Sequence, residues 1–369
     1  MKILYVTTVG LTMTFFGSII RELLDKGHTV DIACNESDSQ VPDCYRDWGC
    51  GIHRIDCVRT PFAAGNARAV GQIRRLVREN GYGIVHCHTP IAAACTRLAC
   101  KDLRKEGVRV FYTAHGFHFY KGAPLKSWLL YYPIEKLCAH FTDTLITINR
   151  EDYALAKRKM KAGQVVYVPG VGIDVDKFRN TVVDRPAKRK ELGIPEDAFL
   201  LLSVGELNEN KNHQIVIRAL AELNDPSIHY AIAGNGALAE YLTALAEQLG
   251  VADRVHLLGY RRDVAELYKT ADVDVFPSIR EGLGLAAIEG MAAGMPLICS
   301  DNRGTRDYAV NGMNALVCGN VGDYAEAISR LRVDHQLREE LGRAGSQSAE
   351  RFSVGEVNRE MLRVYTELL

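Results

Sequence analysis

The stretch DVDVFPSIREGLGLAAIEGMAAGMPLICS, residues 272–300, holds a complete structural repeat. "DVDVFPS" is a β-rich run that reads as a strand ending near Ser278. "LAAIEGMAAG" begins a helix that Gly294 and Pro296 terminate, and "PLICS" is the next strand. Strand, loop, helix and strand in that order build a parallel sheet covered on both faces. Ligands of such sheets gather at the carboxyl ends of the strands. The loop at that end contains Glu281, Gly282 and Gly284, and Glu289 follows on the first turns of the helix. Glycines let a backbone approach a ligand closely. A helix N-terminus offers free N–H groups and partial positive charge, which suits phosphate. Glu281 beside such a site is placed to accept hydrogen bonds from sugar hydroxyls, and Glu289 to take a ribose diol. The plainer alternative is a solvated Glu281 and a locally paired Glu289.

The same alternation runs in both directions from this stretch. "KILYVTTV", "TVDIAC", "HRIDCV", "GIVHCH", "RVFYTAH", "TLITIN" and "QVVYVP" are strands of the first half, separated by segments of helix length. Residues 169–197, rich in Gly, Pro and charge, look like a hinge. Beyond them "AFLLLSVG", "HYAIAG", "VHLLGY", "VDVFPS", "PLICS" and "ALVCG" restart the pattern. The expected fold class is α/β, with two doubly wound Rossmann-like domains facing across a cleft, the first over 1–172 and the second over 173–352.

The chain has 369 residues, 47% hydrophobic and 24% charged, which reads as soluble and globular. No apolar run approaches the roughly 18 residues of a membrane span. The apolar start "MKILYVTTVG" is too short for a signal peptide and reads as a first buried strand. Ten cysteines occur singly without a C-x-x-C pair, so reduced thiols in a cytoplasmic protein are expected. The zero net charge hides an asymmetry. Residues 1–170 carry 23 basic and 15 acidic side chains, and the remainder 22 and 30. Residues 57–110 hold ten basic against three acidic side chains, which suggests an anionic membrane surface as a partner of this stretch. No nucleic-acid partner is expected.

Several stretches, in order and spanning nearly the whole chain, resemble the retaining family-4 glycosyltransferases of GT-B fold. They are "YTAHGFHFYKG", "VPGVGIDVDKF", "SVGELNENKNH", "LLGYRRDVAELYKTADV" and the E-x7-E element from Glu281 to Glu289. The resemblance implies that Glu289 binds ribose hydroxyls and Glu281 those of the transferred sugar. Backbone N–H groups of Leu283, Gly284 and Leu285, beside Gly282, hold phosphate or sugar oxygens. Lys211 neutralises the departing diphosphate, and Gly205 admits the backbone to it. His115 sits under the donor sugar, Tyr260 and Arg261 lie beside the base pocket, and Gly10 opens the site at the first strand. It further implies a C-terminal helix, 353–369, packing back on the first domain. His115, Lys211 and Glu281 are therefore the candidate catalytic residues. The implied reaction moves a hexosyl or N-acetylhexosaminyl group from a UDP-sugar to a lipid-linked or saccharide acceptor at the inner face of the plasma membrane. No metal or other cofactor is expected. A nucleotide-sugar epimerase or hydrolase, and a non-catalytic sugar-nucleotide-binding component, are the alternatives.

This chain departs from the family at Glu206, where many members carry Arg. A second cation must then come from elsewhere, with Arg280, Arg303 and Arg306 as candidates. Leu283 is often Phe in the family, and the first-strand loop has single glycines at 10 and 17 instead of a pair. "VHCHTP" sets His86 and His88 on one strand face, but no further ligand motif supports zinc. "AGNG" at 233–236 reads as a tight strand-to-helix turn. "KSWLLYYPIEKL" either grips a lipid-linked acceptor or packs as a core helix.

Overall fold

The computed structural model describes residues 1–366. Two compact units divide the chain, Met1–Gly172 with the C-terminal segment from Gly355, and Ile173–Val354. The N-terminal unit holds seven strands: β1 Lys2–Val9, β2 Thr29–Asn35, β3 Ile52–Arg54, β4 Ile84–His88, β5 Arg109–Ala114, β6 Thr144–Thr147 and β7 Gln164–Tyr167. Their order is β3-β2-β1-β4-β5-β6-β7, and every neighbouring pair is parallel. The C-terminal unit holds β8 Phe199–Val204, β9 Ile228–Ala233, β10 Val255–Gly259, β11 Val273–Phe276, β12 Leu297–Ser300 and β13 Leu316–Cys318. These are ordered β10-β9-β8-β11-β12-β13, again all parallel. The architecture is GT-B, with one doubly wound sheet in each unit.

Period-two alternation feeds two cores in the N-terminal unit. Leu4, Val6, Val85, Cys87, Val110 and Tyr112 enter one, and Ile3, Tyr5, Ile84 and Phe111 the other. Strands buried on both faces read as continuous apolar runs, which made them visible in the sequence. In each sheet the order reverses at one point, between β1 and β4 and between β8 and β11. Those switch points bring the ends of nonconsecutive strands together and define where a ligand can enter.

The helix Val354–Thr366 closes the second core of the N-terminal unit with Val357, Met361, Val364 and Tyr365. Residues 367–369 of the expected helix lie outside the described residues. Asn358 Nδ2 donates to Ser18 Oγ at 2.7 Å and to Glu22 Oε2 at 3.0 Å. The Tyr365 hydroxyl lies 2.6 Å from both the Tyr5 hydroxyl and His86 Nδ1, and His86 Nε2 is 2.8 Å from Thr113 Oγ1.

The boundary between the two units falls within residues 169–197, after Gly172, and two short helices follow it. Asp174 and Asp184 cap the helices Val175–Asn180 and Arg185–Glu191, with Pro186 in the first turn of the second. Arg189 is buried against Asp272 Oδ2 at 2.8 Å and the carbonyls of Glu196 and Ala198. The Asp, Pro and charged residues that resembled loop composition are helix caps and ion-pair partners.

The basic surplus of 57–110 is largely spent inside the fold. Arg68 pairs with Asp56, Arg74 with Asp102, Arg78 with Glu106, Arg97 with Glu135, and Arg104 and Arg109 with Asp143. The helix Leu125–Ala139 has two faces. Trp128, Tyr131 and Tyr132 pack on the core, while Leu125, Lys126, Leu129, Leu130, Pro133, Lys136 and Leu137 are exposed. Glu135 anchors it through buried Arg97 at 2.8 Å and the Tyr112 hydroxyl at 3.1 Å. All ten cysteines are free thiols. Among the described residues no helix is long and apolar enough to cross a membrane.

Burial holds His86 down to about 3 and His88 well below the ordinary histidine range, so both are neutral near pH 7. Unfolding lets each take up a proton below about pH 6.5. Stability is therefore fully present above that pH and falls as pH drops toward the folded values. The slope is about 1.4 kcal/mol per pH unit for each histidine. Both tryptophans, Trp48 and Trp128, lie in the N-terminal unit. The urea midpoint followed by tryptophan fluorescence should fall steadily from pH 7 to pH 5; a flat midpoint would contradict neutral burial.

Candidate active site

Two loops at the switch point of the C-terminal unit carry the charged residues. The loop after β8 is held by its asparagines. Asn208 Oδ1 accepts from the Lys211 backbone N–H at 3.0 Å, and Asn212 adopts the left-handed region at φ 53°. Asn210 spans to the loop after β11. Its Nδ2 donates to the Arg280 carbonyl at 2.9 Å, and its carbonyl accepts from Ile279 N–H at 2.8 Å. A Cβ on Gly205 would stand 3.2 Å from Lys211 Cε, so glycine leaves room for the lysine stem. Gly234 and Gly236 bring the next turn against this loop. Their added Cβ atoms would strike the carbonyl oxygens of Gly205 and Leu207, which makes "AGNG" a packing turn.

These constraints bring Lys211 Nζ to 2.7 Å from Glu281 Oε1, in a largely buried ion pair. The ammonium also lies 5.0 Å from the centroid of the Phe276 ring. The Glu281 carboxylate therefore satisfies this cation. An incoming anion would have to share or displace that contact.

Leu283 is buried below this pair. Gly284, at φ 91°, begins the helix Leu285–Ala292 without a side-chain cap. A Cβ on Gly284 would meet Phe276 Cε1 at 2.8 Å and the Tyr308 hydroxyl at 2.9 Å. The turn of residues 302–305 braces the loop from behind. Arg303 Nε donates to the Glu281 carbonyl at 3.1 Å, and Asn302 Nδ2 to the Ser278 carbonyl at 2.9 Å. A Cβ on Gly304 would come within 2.9 Å of Glu281 Cβ. The result is an uncapped helix start beside a lysine and a carboxylate, with both loops fixed by side-chain bonds to backbone.

Glu289 lies on that helix with no hydrogen-bond or ion-pair partner among the described residues. Burial raises its pKa, and Lys177 partly opposes the shift. An unpaired, partly desolvated carboxylate is a receptive acceptor for hydroxyl donors. Beneath it, Asp274 on β11 is fully buried, with Oδ2 unpartnered among the described residues. Burial and then the Glu289 charge push its carboxyl well above the usual carboxylate range. Gly290 is glycine because a Cβ there would collide with Asp274 Oδ2. Asp274 was not among the expected residues. An acidic residue inside an otherwise apolar strand, "VDVF", was its signal.

The expected residues Tyr260, Arg261, Gly10 and His115 lie outside these two loops. Tyr260 is exposed beyond β10. Arg261 is engaged with Asp263 and Glu191, its Nη2 lying 2.6 Å from Glu191 Oε1, in a cluster that also holds Lys188. Gly10 is buried, and a Cβ there would lie 2.5 Å from the backbone of residues 39–41, which explains the glycine by packing. His115, in the N-terminal unit, follows β5; its Nε2 lies 3.1 Å from His88 Nδ1. Glu206 is exposed. Of the candidate second cations, Arg303 is buried against the Glu281 loop and Arg306 pairs with Asp301. Arg280 is exposed, with no side-chain partner among the described residues.

Residues 13–170 match the family model of the glycosyl transferase 4-like domain, and residues 184–348 that of glycosyl transferases group 1. The Bacillus subtilis (strain 168) protein EpsD is 41% identical over 314 residues, covering 84% of this chain and 82% of its own. The chain belongs to the group 1 glycosyltransferases. An Escherichia coli relative is 30% identical over 71% of this chain and 69% of its own. Its name is UDP-Gal:alpha-D-GlcNAc-diphosphoundecaprenol alpha-1,3-galactosyltransferase. Among solved structures, Anabaena Alr3699/HepE in complex with UDP and glucose covers 99% of both chains at TM-score 0.83 and 18% identity. The lipopolysaccharide glycosyltransferase WaaG covers the same share at TM-score 0.77 and 19% identity. At these identities both likenesses speak to the fold.

For this group 1 glycosyltransferase, the close packing at Gly284 is open to direct test. Gly284→Ala forces a Cβ into the Phe276 ring and a side chain into positive φ. We expect a loss of about 1–3 kcal/mol in stability. Calorimetric melting of the purified variant measures it, and an unchanged melt would show that the loop yields freely.

Proposed function

We propose that this glycosyltransferase moves a hexose or N-acetylhexosamine from a UDP-sugar to a hydroxyl of a lipid-linked saccharide, retaining the anomeric configuration and requiring no metal. The observation that carries the donor half is the Lys211–Glu281 pair beside the uncapped helix start at Gly284. Uridine is the preferred nucleotide because the HepE complex holds UDP and the name of the E. coli relative specifies UDP-Gal.

In this reading Glu289 accepts from the ribose diol and Glu281 from the sugar hydroxyls. The bond between the anomeric carbon and the diphosphate oxygen breaks while Lys211 and the helix N–H groups take up the negative charge that develops. The acceptor oxygen attacks from the same face, and its proton passes to the departing phosphate oxygen. Protein cations take the role a metal would otherwise fill, with Arg280 as the second one where Glu206 replaces the family's arginine. His115 acts at the sugar, as the family resemblance implies.

The lipid-linked acceptor follows from the name of the E. coli relative and from the exposed leucine face of Leu125–Ala139. With most arginines of 57–110 already paired, membrane contact at the inner face of the plasma membrane would rest on apolar insertion of that helix, flanked by Lys126 and Lys136.

Lys211→Ala should lower kcat by about a hundredfold or more. Glu289→Ala should weaken UDP binding by about tenfold to a hundredfold, and Glu281→Ala should chiefly lower turnover. Titration calorimetry with UDP and UDP-release assays separate these outcomes, and mild, equal effects from Glu281 and Glu289 would refute the division. UDP affinity of the wild type should fall as pH drops through the raised pKa of Glu289, because its protonated form loses acceptor strength. Activity should survive EDTA. Leu125→Asp with Leu129→Asp should abolish sedimentation with phospholipid vesicles, while 0.5 M salt, about one Debye length of 4 Å, should leave wild-type binding largely intact. Salt-sensitive binding would return the membrane contact to the basic residues.

A further inference from the structure

The two histidines of "VHCHTP" have no part in the proposed reaction, and zinc has no support at them. Among the described residues, no group of three or more His, Cys, Asp or Glu side chains could hold a metal ion. Their surroundings nevertheless form an ordered stack. His86 is engaged at both ring nitrogens, by Tyr365 and by Thr113. Its centroid lies 4.2 Å from that of His88, and Phe16 also stands 4.2 Å from His88. His88 is 1% exposed, so this packing leaves its ring no freedom to turn. Its Nδ1 meets His115 Nε2 at 3.1 Å, while its Nε2 is buried without a partner among the described residues.

The backbone at this point is also held against its preference. Thr89, between His88 and Pro90, sits at φ 62°, unusual for a β-branched residue. Its hydroxyl is 2.7 Å from the Thr8 hydroxyl and accepts from the Thr8 N–H at 3.2 Å, tying the carboxyl end of β4 to that of β1. His88 is therefore fixed by its chain as well as by its neighbours. A buried polar ring with one orphaned nitrogen costs about 1–3 kcal/mol. Its single polar contact among the described residues is His115.

We infer that His88 is a positioning residue that holds the imidazole of His115 in one orientation and one tautomer. Burial pushes His115 down to about 4 and holds His88 well below the ordinary histidine range, so both rings are neutral near pH 7 and one proton lies in the bond between them. The two rings are then coupled. If His88 donates from Nδ1, His115 carries its own proton on Nδ1; if His115 donates from Nε2, His88 carries its proton on Nε2. Both rings are protonated at the same-named nitrogen, and His115 Nδ1 is left for the reaction. Nothing in the family models or relatives' names assigns this task to His88. Its catalytic meaning rests on the proposed role of His115 at the donor sugar, but the coupling belongs to the N-terminal unit alone.

Long-range proton–nitrogen NMR of the full chain with labelled histidine tests the coupling without any substrate. His88 and His115 should each show one tautomer, protonated at the same-named nitrogen. In His88→Phe, which keeps a ring and removes the nitrogen, the His115 signals should move to the averaged values of a freely exchanging neutral ring. In the sugar-transfer assay, His88→Phe should lower kcat by about tenfold to a hundredfold with donor KM nearly unchanged. His88→Asn, which keeps a polar group near the Nδ1 position, should recover most of that loss. Opposite or averaged tautomers in the wild type, or His115 signals untouched in a folded His88→Phe, would overturn the coupling. If no sugar transfer is found with any donor, the proposed function fails while the NMR result still stands on its own.

Discussion

A parallel sheet that is apolar on both faces has only its ends left for polar chemistry. Both units obey that constraint, and the rest of their organisation follows from it. Helices must cover each face, so chain crossings are long and every loop that carries charge lies at a strand end. Where strand order reverses, two such loops meet. In the C-terminal unit they are the loops after β8 and β11, and their meeting brings Lys211 to Glu281 across 70 residues of sequence. In the N-terminal unit the corresponding ends belong to β1 and β4, where Thr8 and Thr89 bond across 81 residues.

Close contact at the site depends on missing side chains as much as on those present. Gly205 admits the lysine stem, Gly284 clears Phe276 and Tyr308, Gly290 clears Asp274, and Gly304 lets a third loop brace Glu281. Each position is occupied by a neighbour from the protein itself, so these glycines are explained by packing before any ligand is considered. The polar side chains follow a similar logic. Asn208, Asn210 and Asn302 spend their amides on backbone groups and so hold two irregular loops in single conformations. Glu289 and Arg280 differ, because among the described residues no such partner occupies their charged groups.

Charge counted along the sequence and charge available in space differ greatly in this protein. The ten basic residues of 57–110 suggested an anionic partner, yet six of them face carboxylates, three of which lie outside that stretch at Asp56, Glu135 and Asp143. Arg261, expected beside a nucleotide base, joins Lys188, Glu191 and Asp263 in one ion cluster. The apolar surface moved the other way. The aromatic residues of Leu125–Ala139 are core, whereas four leucines of the same helix are exposed.

The sequence by itself determined the architecture. Strands buried on both faces must be continuous apolar runs, and their alternation with helices leaves few topologies, so two doubly wound domains could be read from the chain. It also marked Lys211, Glu281 and Glu289, through ordered motifs whose resemblance spans nearly the whole chain. Tertiary structure alone decided which charges are spent and which remain open, because ion pairing depends on distances between residues far apart in sequence. It showed Asp274 beneath the Glu289 helix, placed two capped helices within 169–197, and gave Gly10 a packing partner at residues 39–41. It also set His88 against His115, a contact made only when β4 and β5 pair in register and their side chains share one face.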